Sequence, residues 1–259
     1  MIQKIINILL SLLPKKTTPT TPLTPLPSKE IKPLPIPAPK LPHIPQDLFD
    51  EPQTNGHPAP KKELSIDEIL KFSQKYGLEL ATVQAVIEVE SGGSGFFTDP
   101  DTGRLTKPKI LFEGHVFWKQ LKKHGINPTT LTRSNILYPR WDRGNYFGGI
   151  REYERLNKAK KIHEQAALES ASWGLFQIMG YHWESLAYPS VFKFVKLMET
   201  SEFHQLEAFG RFLKVNGLIP ALKAKNWALF AKRYNGPLFY KNKYDAKLAK
   251  AYKKYSDNV

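Results

Sequence analysis

The chain has 259 residues, 41% of them hydrophobic and 12% aromatic, which is enough to bury a core as one large domain or two small ones. It has no cysteine, so disulfides and thiolate zinc sites are excluded. The formal net charge of +14 fits simple solubility or an anionic partner, and does not choose among nucleic acid, acidic phospholipid, teichoic acid and lipopolysaccharide.

Residues 1–13, MIQKIINILLSLL, form a short apolar segment after an early lysine. It is shorter than the roughly 20 residues that span a bilayer as a helix. It reads as signal-like or membrane-associating, although Pro14-Lys15-Lys16 follows instead of a small-residue cleavage site. Residues 14–60 hold about two-thirds of the 21 prolines, in runs such as TPTTPLTPLP and KPLPIPAPKLP. Proline lacks the N–H that helices and central strands need, so this stretch reads as a disordered Pro/Thr-rich linker.

A single domain over 64–259 is expected to follow. Ser65-Ile66-Asp67-Glu68 is a capping-box pattern, and IDEILKFSQKYG reads as a helix closed by Gly77. A second helix is expected from about Leu80 to Glu90. Residues 96–113 contain a DPDTG turn and an extended KPKILFE run, which suggests a small hairpin between helices. Further helices are expected at about 114–124, 150–169, 190–199, 203–215, 219–232 and 243–255. Many helices and few strands predict an α+β, mainly helical domain with a small β-hairpin region.

Several chemistries fail on their spacing. His163-Glu164 starts like a zincin motif, but Ala167 stands where the second histidine is needed. His182 and Glu184 resemble the start of a deaminase motif without its cysteines. There is no GxSxG or Walker-type loop, and the glycines of ESGGSGF are wrongly spaced for a dinucleotide. No metal or cofactor is expected.

Three motifs remain. Glu90-Ser91-Gly92-Gly93 closes an apolar helix with a carboxylate, which the helix's carbonyl end repels. That repulsion and apolar surroundings would raise its pKa, as an acid catalyst requires; the plain alternative is a glycine helix stop. Ser172-Trp173-Gly174-Leu175-Phe176-Gln177-Ile178-Met179-Gly180 carries glycines for close approach and an amide that both donates and accepts; its plain alternative is a tightly packed helix start. Arg233-Tyr234-Asn235-Gly236-Pro237 is otherwise a helix ending in an Asn-Gly turn.

In this order the motifs resemble the lysozyme-like superfamily of goose-type lysozymes and lytic transglycosylases. VESGGSGF, PKILFEGHVF, ASWGLFQIMG and RYNGPLFYKNKYDAKL are similar to segments of the phage and bacterial N-acetylmuramidase domain of endolysins, over roughly residues 66–255. The resemblance implies cleavage of the β-1,4 bond between N-acetylmuramic acid and N-acetylglucosamine in peptidoglycan. It implies Glu90 as the acid that protonates the leaving oxygen. Glu113 matches a second acidic position; because extended residues alternate faces, it can face a cleft while Phe112 enters the core. Ser172, Gln177, Tyr234 and Asn235 would shape the sugar subsites. Asp99, Asp101 and the threonines at 129–132 are unranked candidates for a third polar helper. A lytic transglycosylase or a non-catalytic glycan-binding module would carry similar motifs. Peptidoglycan is the expected partner and nucleic acid is not, since no recognition motif for it is visible. The basic C-terminal region, with Lys247, Lys250, Lys253 and Lys254, suggests attraction to anionic envelope polymers or a membrane surface. A monomer, exported or associated with the cell envelope, is expected.

Overall fold

The computed structural model describes residues 62–91, 93–236 and 239–257. The readings of residues 1–13 and 14–60 lie outside them. Among the described residues the chain forms ten α-helices and two small antiparallel sheets. No helix among them is long and apolar enough to cross a membrane.

Helix α1 (Ile66–Tyr76) starts as its capping box dictates. The Glu68 amide donates to Ser65 Oγ and the Ser65 amide to Glu68 Oε2. Gly77 ends it in the left-handed region, φ 61°. Helix α2 (Leu80–Ser91) is apolar on most of its surface and buries Ala81, Val83, Ala85, Val86 and Val89. Such a helix must be enclosed, and α1 and the C-terminal helix α10 (Tyr244–Ser256) pack against it. Tyr244, Leu248 and Ala251 form the buried stripe of α10.

The extended region divides. Strands β1 (Phe96–Thr98) and β2 (Leu105–Pro108) form the expected hairpin. The KPKILFE run does not continue as one strand of it. At Lys109 the chain changes partner: its N–H donates to Gly95 O, while its carbonyl accepts from Gly174 N. Strand β3 (Ile110–Phe112) then pairs with β4 (Ala171–Trp173), and β4 with β5 (Ile178–Met179). The second motif is therefore a hairpin. Gly174 at φ 69° and Gln177 at φ 51° make its turn, and both conformations lie outside a helix.

Helix α3 (Gly114–Lys123) follows β3 directly. The helix expected over 150–169 is two, α4 (Glu152–Lys160) and α5 (Glu164–Glu169). They are broken where His163 turns extended and its Nδ1 caps the Ala166 amide at 3.1 Å. Helices α6 (Val191–Thr200) and α7 (Glu202–Val215) stand near their expected bounds. The helix expected over 219–232 is also divided, into α8 (Ile219–Lys223) and α9 (Trp227–Asn235). Here Lys225 is left-handed and the Asn226 side chain caps α9. The core is rich in aromatics, among them Phe72, Phe112, Phe117, Trp173 and Phe230, with Phe176 and Phe209 stacked at 4.0 Å.

Candidate active site

Glu90 is the penultimate residue of α2 and is 1% exposed. Burial and the carbonyl end of a helix both disfavour a carboxylate's charged form. The third motif reaches it: Asn235, the last residue of α9, donates Nδ2 to Glu90 Oε1 at 3.2 Å. Tyr234 and Tyr244 lie close by. Burial first, and then the Glu90 charge, pushes the Tyr244 hydroxyl up to about 12 and that of Tyr234 well above its usual value. Both phenols keep their protons at neutral pH.

Tyr234 ties this cluster to the second motif. Its ring stacks on Phe230 and meets Phe209 and Phe212 edge-on, and its hydroxyl points to the carbonyl of Phe176 at 3.5 Å. In the β4–β5 turn, Gln177 Nε2 donates to Lys109 O and Gly174 O at 3.0 and 2.8 Å. Its Oε1 accepts from Ser172 Oγ at 2.8 Å. Ser172 is buried and Gln177 half-buried, so their polar groups fasten the turn that carries Phe176.

Glu113 stands just past β3, at the other end of β4 from that turn, and its amide donates to Ser170 O. Phe112 is fully buried beside it, whereas the Glu113 side chain keeps 15% of its exposure, as alternation requires. Tyr146 donates its hydroxyl to Glu113 Oε2, and His115 Nδ1 lies 3.3 Å from the same oxygen. Beneath them is a fully buried ion pair, Arg155–Glu152 at 2.6 Å. Glu152 also accepts from the amides of Phe112, Phe147 and Gly148. Arg155 donates to the carbonyls of Phe112 and Asn135 and to Tyr138 Oη. The pair thus fixes the strand before Glu113 and the loop that carries Tyr146.

The glycine turn after Glu90 has its own anchor. Glu202 Oε1 accepts from Ser94 Oγ and Gly95 N at 2.8 and 2.6 Å, and Oε2 from Leu64 N at 3.0 Å. Gln205 accepts from the Leu175 amide and packs so closely on Gly95 and Gly174 that a methyl group at either would strike it. Sequence reasoning missed Tyr146, His115, Glu202 and Gln205. Glu202 and Gln205 read as part of a helix start, and Tyr146 lies in an irregular segment without periodic signal. Asp99 accepts from the Asp101 and Thr102 amides in the β1–β2 turn, and Thr129 and Thr130 bond to Asn127 in a short turn of their own. Among the described residues no group of three or more metal-ligating side chains occurs.

The family model for N-acetylmuramidase matches residues 79–256. No curated protein matches the chain. The solved structure of a Burkholderia AP3 phage endolysin is similar to it, with a TM-score of 0.70 and 40% identity, over 79% of this chain and 75% of that one. The match takes in all three motifs, the β3–β4–β5 sheet and Glu113, and the chain belongs to the N-acetylmuramidase family of peptidoglycan hydrolases.

Proposed function

We propose that Glu90 and Glu113 divide the chemistry of this muramidase between them. Supporting that division is the contrast between the two carboxyls. Glu90 is buried at a helix end beside protonated tyrosines, while Glu113 is part-exposed and receives a hydroxyl donor. Environments that differ in this way assign the acid and base of a pair. Glu90 is the acid that protonates the glycosidic oxygen of the leaving N-acetylglucosamine. Glu113 activates the attacking water or stabilises positive charge on the muramic sugar. Asn235 orients Glu90, and Tyr234, Ser172 and Gln177 shape the sugar subsites beside it.

Digestion of peptidoglycan in heavy-oxygen water tests this reading. Hydrolysis places one labelled oxygen on the reducing muramic acid, and Glu113→Gln lowers its release by about a thousandfold. Unlabelled 1,6-anhydro ends would instead mean that the muramic acid's own hydroxyl attacks, leaving Glu113 without this role.

The enzyme works as a monomer at the cell envelope, and α10 draws it to anionic envelope polymers. Lys247, Lys250 and Lys253 are exposed on that helix, whereas Lys254 is paired with Glu88. Changing the first three to glutamine should weaken binding to whole cell walls at low salt. Unchanged binding would remove this role.

A further inference from the structure

We infer that Tyr146 is the positioning residue for Glu113, holding its Oε2 so that Oε1 is the atom presented to the reaction. The inference rests on the reading of Glu113 as the second catalytic carboxyl. Among the described residues the contacts to this carboxyl converge on one oxygen: the Tyr146 hydroxyl donates to Oε2, and His115 Nδ1 lies 3.3 Å from it without making a hydrogen bond. Among the described residues no donor reaches Oε1. A carboxylate held by one oxygen has a fixed plane, and a fixed plane aims the other oxygen.

Tyr146 is suited to this task in two ways. Its hydroxyl stays a donor, because burial and then the Glu113 charge push its pKa far above neutral. Its ring is held independently of the hydroxyl, since the Arg155 guanidinium lies 5.1 Å from the ring centre and Trp141 6.4 Å from it. The loop behind it is clamped by Glu152, which accepts from the amides of Phe147 and Gly148 at 2.8 Å. A rigid ring on a clamped loop gives the hydroxyl a fixed address, whereas a flexible donor would follow the carboxylate instead of directing it. His115 is the lesser partner. It is on the helix that Glu113 begins, so it moves with Glu113, and among the described residues only the Tyr146 hydrogen bond ties the carboxyl to a separate part of the fold.

Tyr146→Phe removes the hydroxyl and keeps the ring. The test measures kcat and KM on soluble glycan strands for wild type, Tyr146→Phe, Glu113→Gln and the double variant, with thermal unfolding of each. A misplaced carboxyl costs about 10–100-fold in kcat. Tyr146→Phe should show that loss with KM within about twofold and Tm nearly unchanged. On the Glu113→Gln background the same change should cost nothing more, because the group it positions is already gone. Wild-type kcat for Tyr146→Phe beside an inactive Glu113→Gln would overturn the positioning role and leave Glu113 as the second carboxyl. Additive losses in the double variant would also overturn it, since Tyr146 would then act elsewhere. Full activity of Glu113→Gln would overturn the underlying reading, and the role of Tyr146 with it.

Discussion

Asn235 and Glu90 are 145 residues apart in sequence and joined by a hydrogen bond of 3.2 Å. It closes the end of α9 onto the end of α2. Asn235→Ala should lower kcat about tenfold or more by removing one of the contacts that orient the Glu90 carboxyl. Stability should fall by only about 1 kcal/mol. Steady-state kinetics and urea unfolding on the same preparation separate the two effects.

Gly174 is confined by conformation and by space. Its φ of 69° favours glycine, and a Cβ there would come within 2.4 Å of Gln205. Gly174→Ala should destabilise the domain by about 2–4 kcal/mol, combining left-handed strain with overpacking. The double change Gly174→Ala with Gln205→Ala relieves the clash but not the strain, and should stay below wild type.

Glu202 holds the turn after Glu90 through charge-assisted bonds from Ser94 and Gly95. In Glu202→Gln one oxygen becomes an amide nitrogen that cannot accept from a backbone N–H. The expected loss is about 1–3 kcal/mol of stability, with a drop in activity beyond what the unfolded fraction explains. Circular dichroism melts and turbidity assays at a temperature where the variant is folded check both.

Arg155 and Glu152 differ in their alternatives. Glu152 keeps three backbone donors if Arg155 is lost, yet its charge is left buried and unpaired by any cation. Arg155→Met should cost about 3–5 kcal/mol. Arg155→Met with Glu152→Gln should recover part of that loss in urea unfolding, because no uncompensated charge remains.

Two histidines give the domain a pH response. Burial holds the His182 imidazole below its usual range; burial first, then the Lys193 charge, does the same for His204. The folded state therefore binds protons less readily than the unfolded chain, whose histidines titrate near about 6.5. Stability from these groups is full above that pH and declines as pH falls through and below it toward the folded values. Urea midpoints should drop between about pH 7.5 and 5.5, and His182→Gln with His204→Gln should flatten that slope.

Much of the frame was legible in the sequence because its signals are local. The capping box at Ser65 and Glu68, the αL glycine at 77, and the apolar stripe of Tyr244 and Leu248 each need only near neighbours, and they lie where expected. The β4–β5 hairpin was hidden because SWGLFQIMG has no alternation. Its strand character comes from pairing with residues some 60 positions earlier and from a left-handed Gln177. The breaks at His163 and Asn226 were missed for a related reason. Each is a side-chain cap inside a run that otherwise reads as one helix. In the site, the carboxyls and the Tyr-Asn pair stood out in the sequence, while Tyr146 is placed against Glu113 by the Arg155–Glu152 pair, to which no short-range pattern points.

The most direct test of the division of labour between Glu90 and Glu113 is mass spectrometry of peptidoglycan digested by wild type, Glu90→Gln and Glu113→Gln, each shown to be folded by circular dichroism. Wild type should release reducing N-acetylmuramic acid ends. Each variant should lose about a thousandfold or more of that release. Products at the wild-type rate from a folded Glu90→Gln protein would contradict this division.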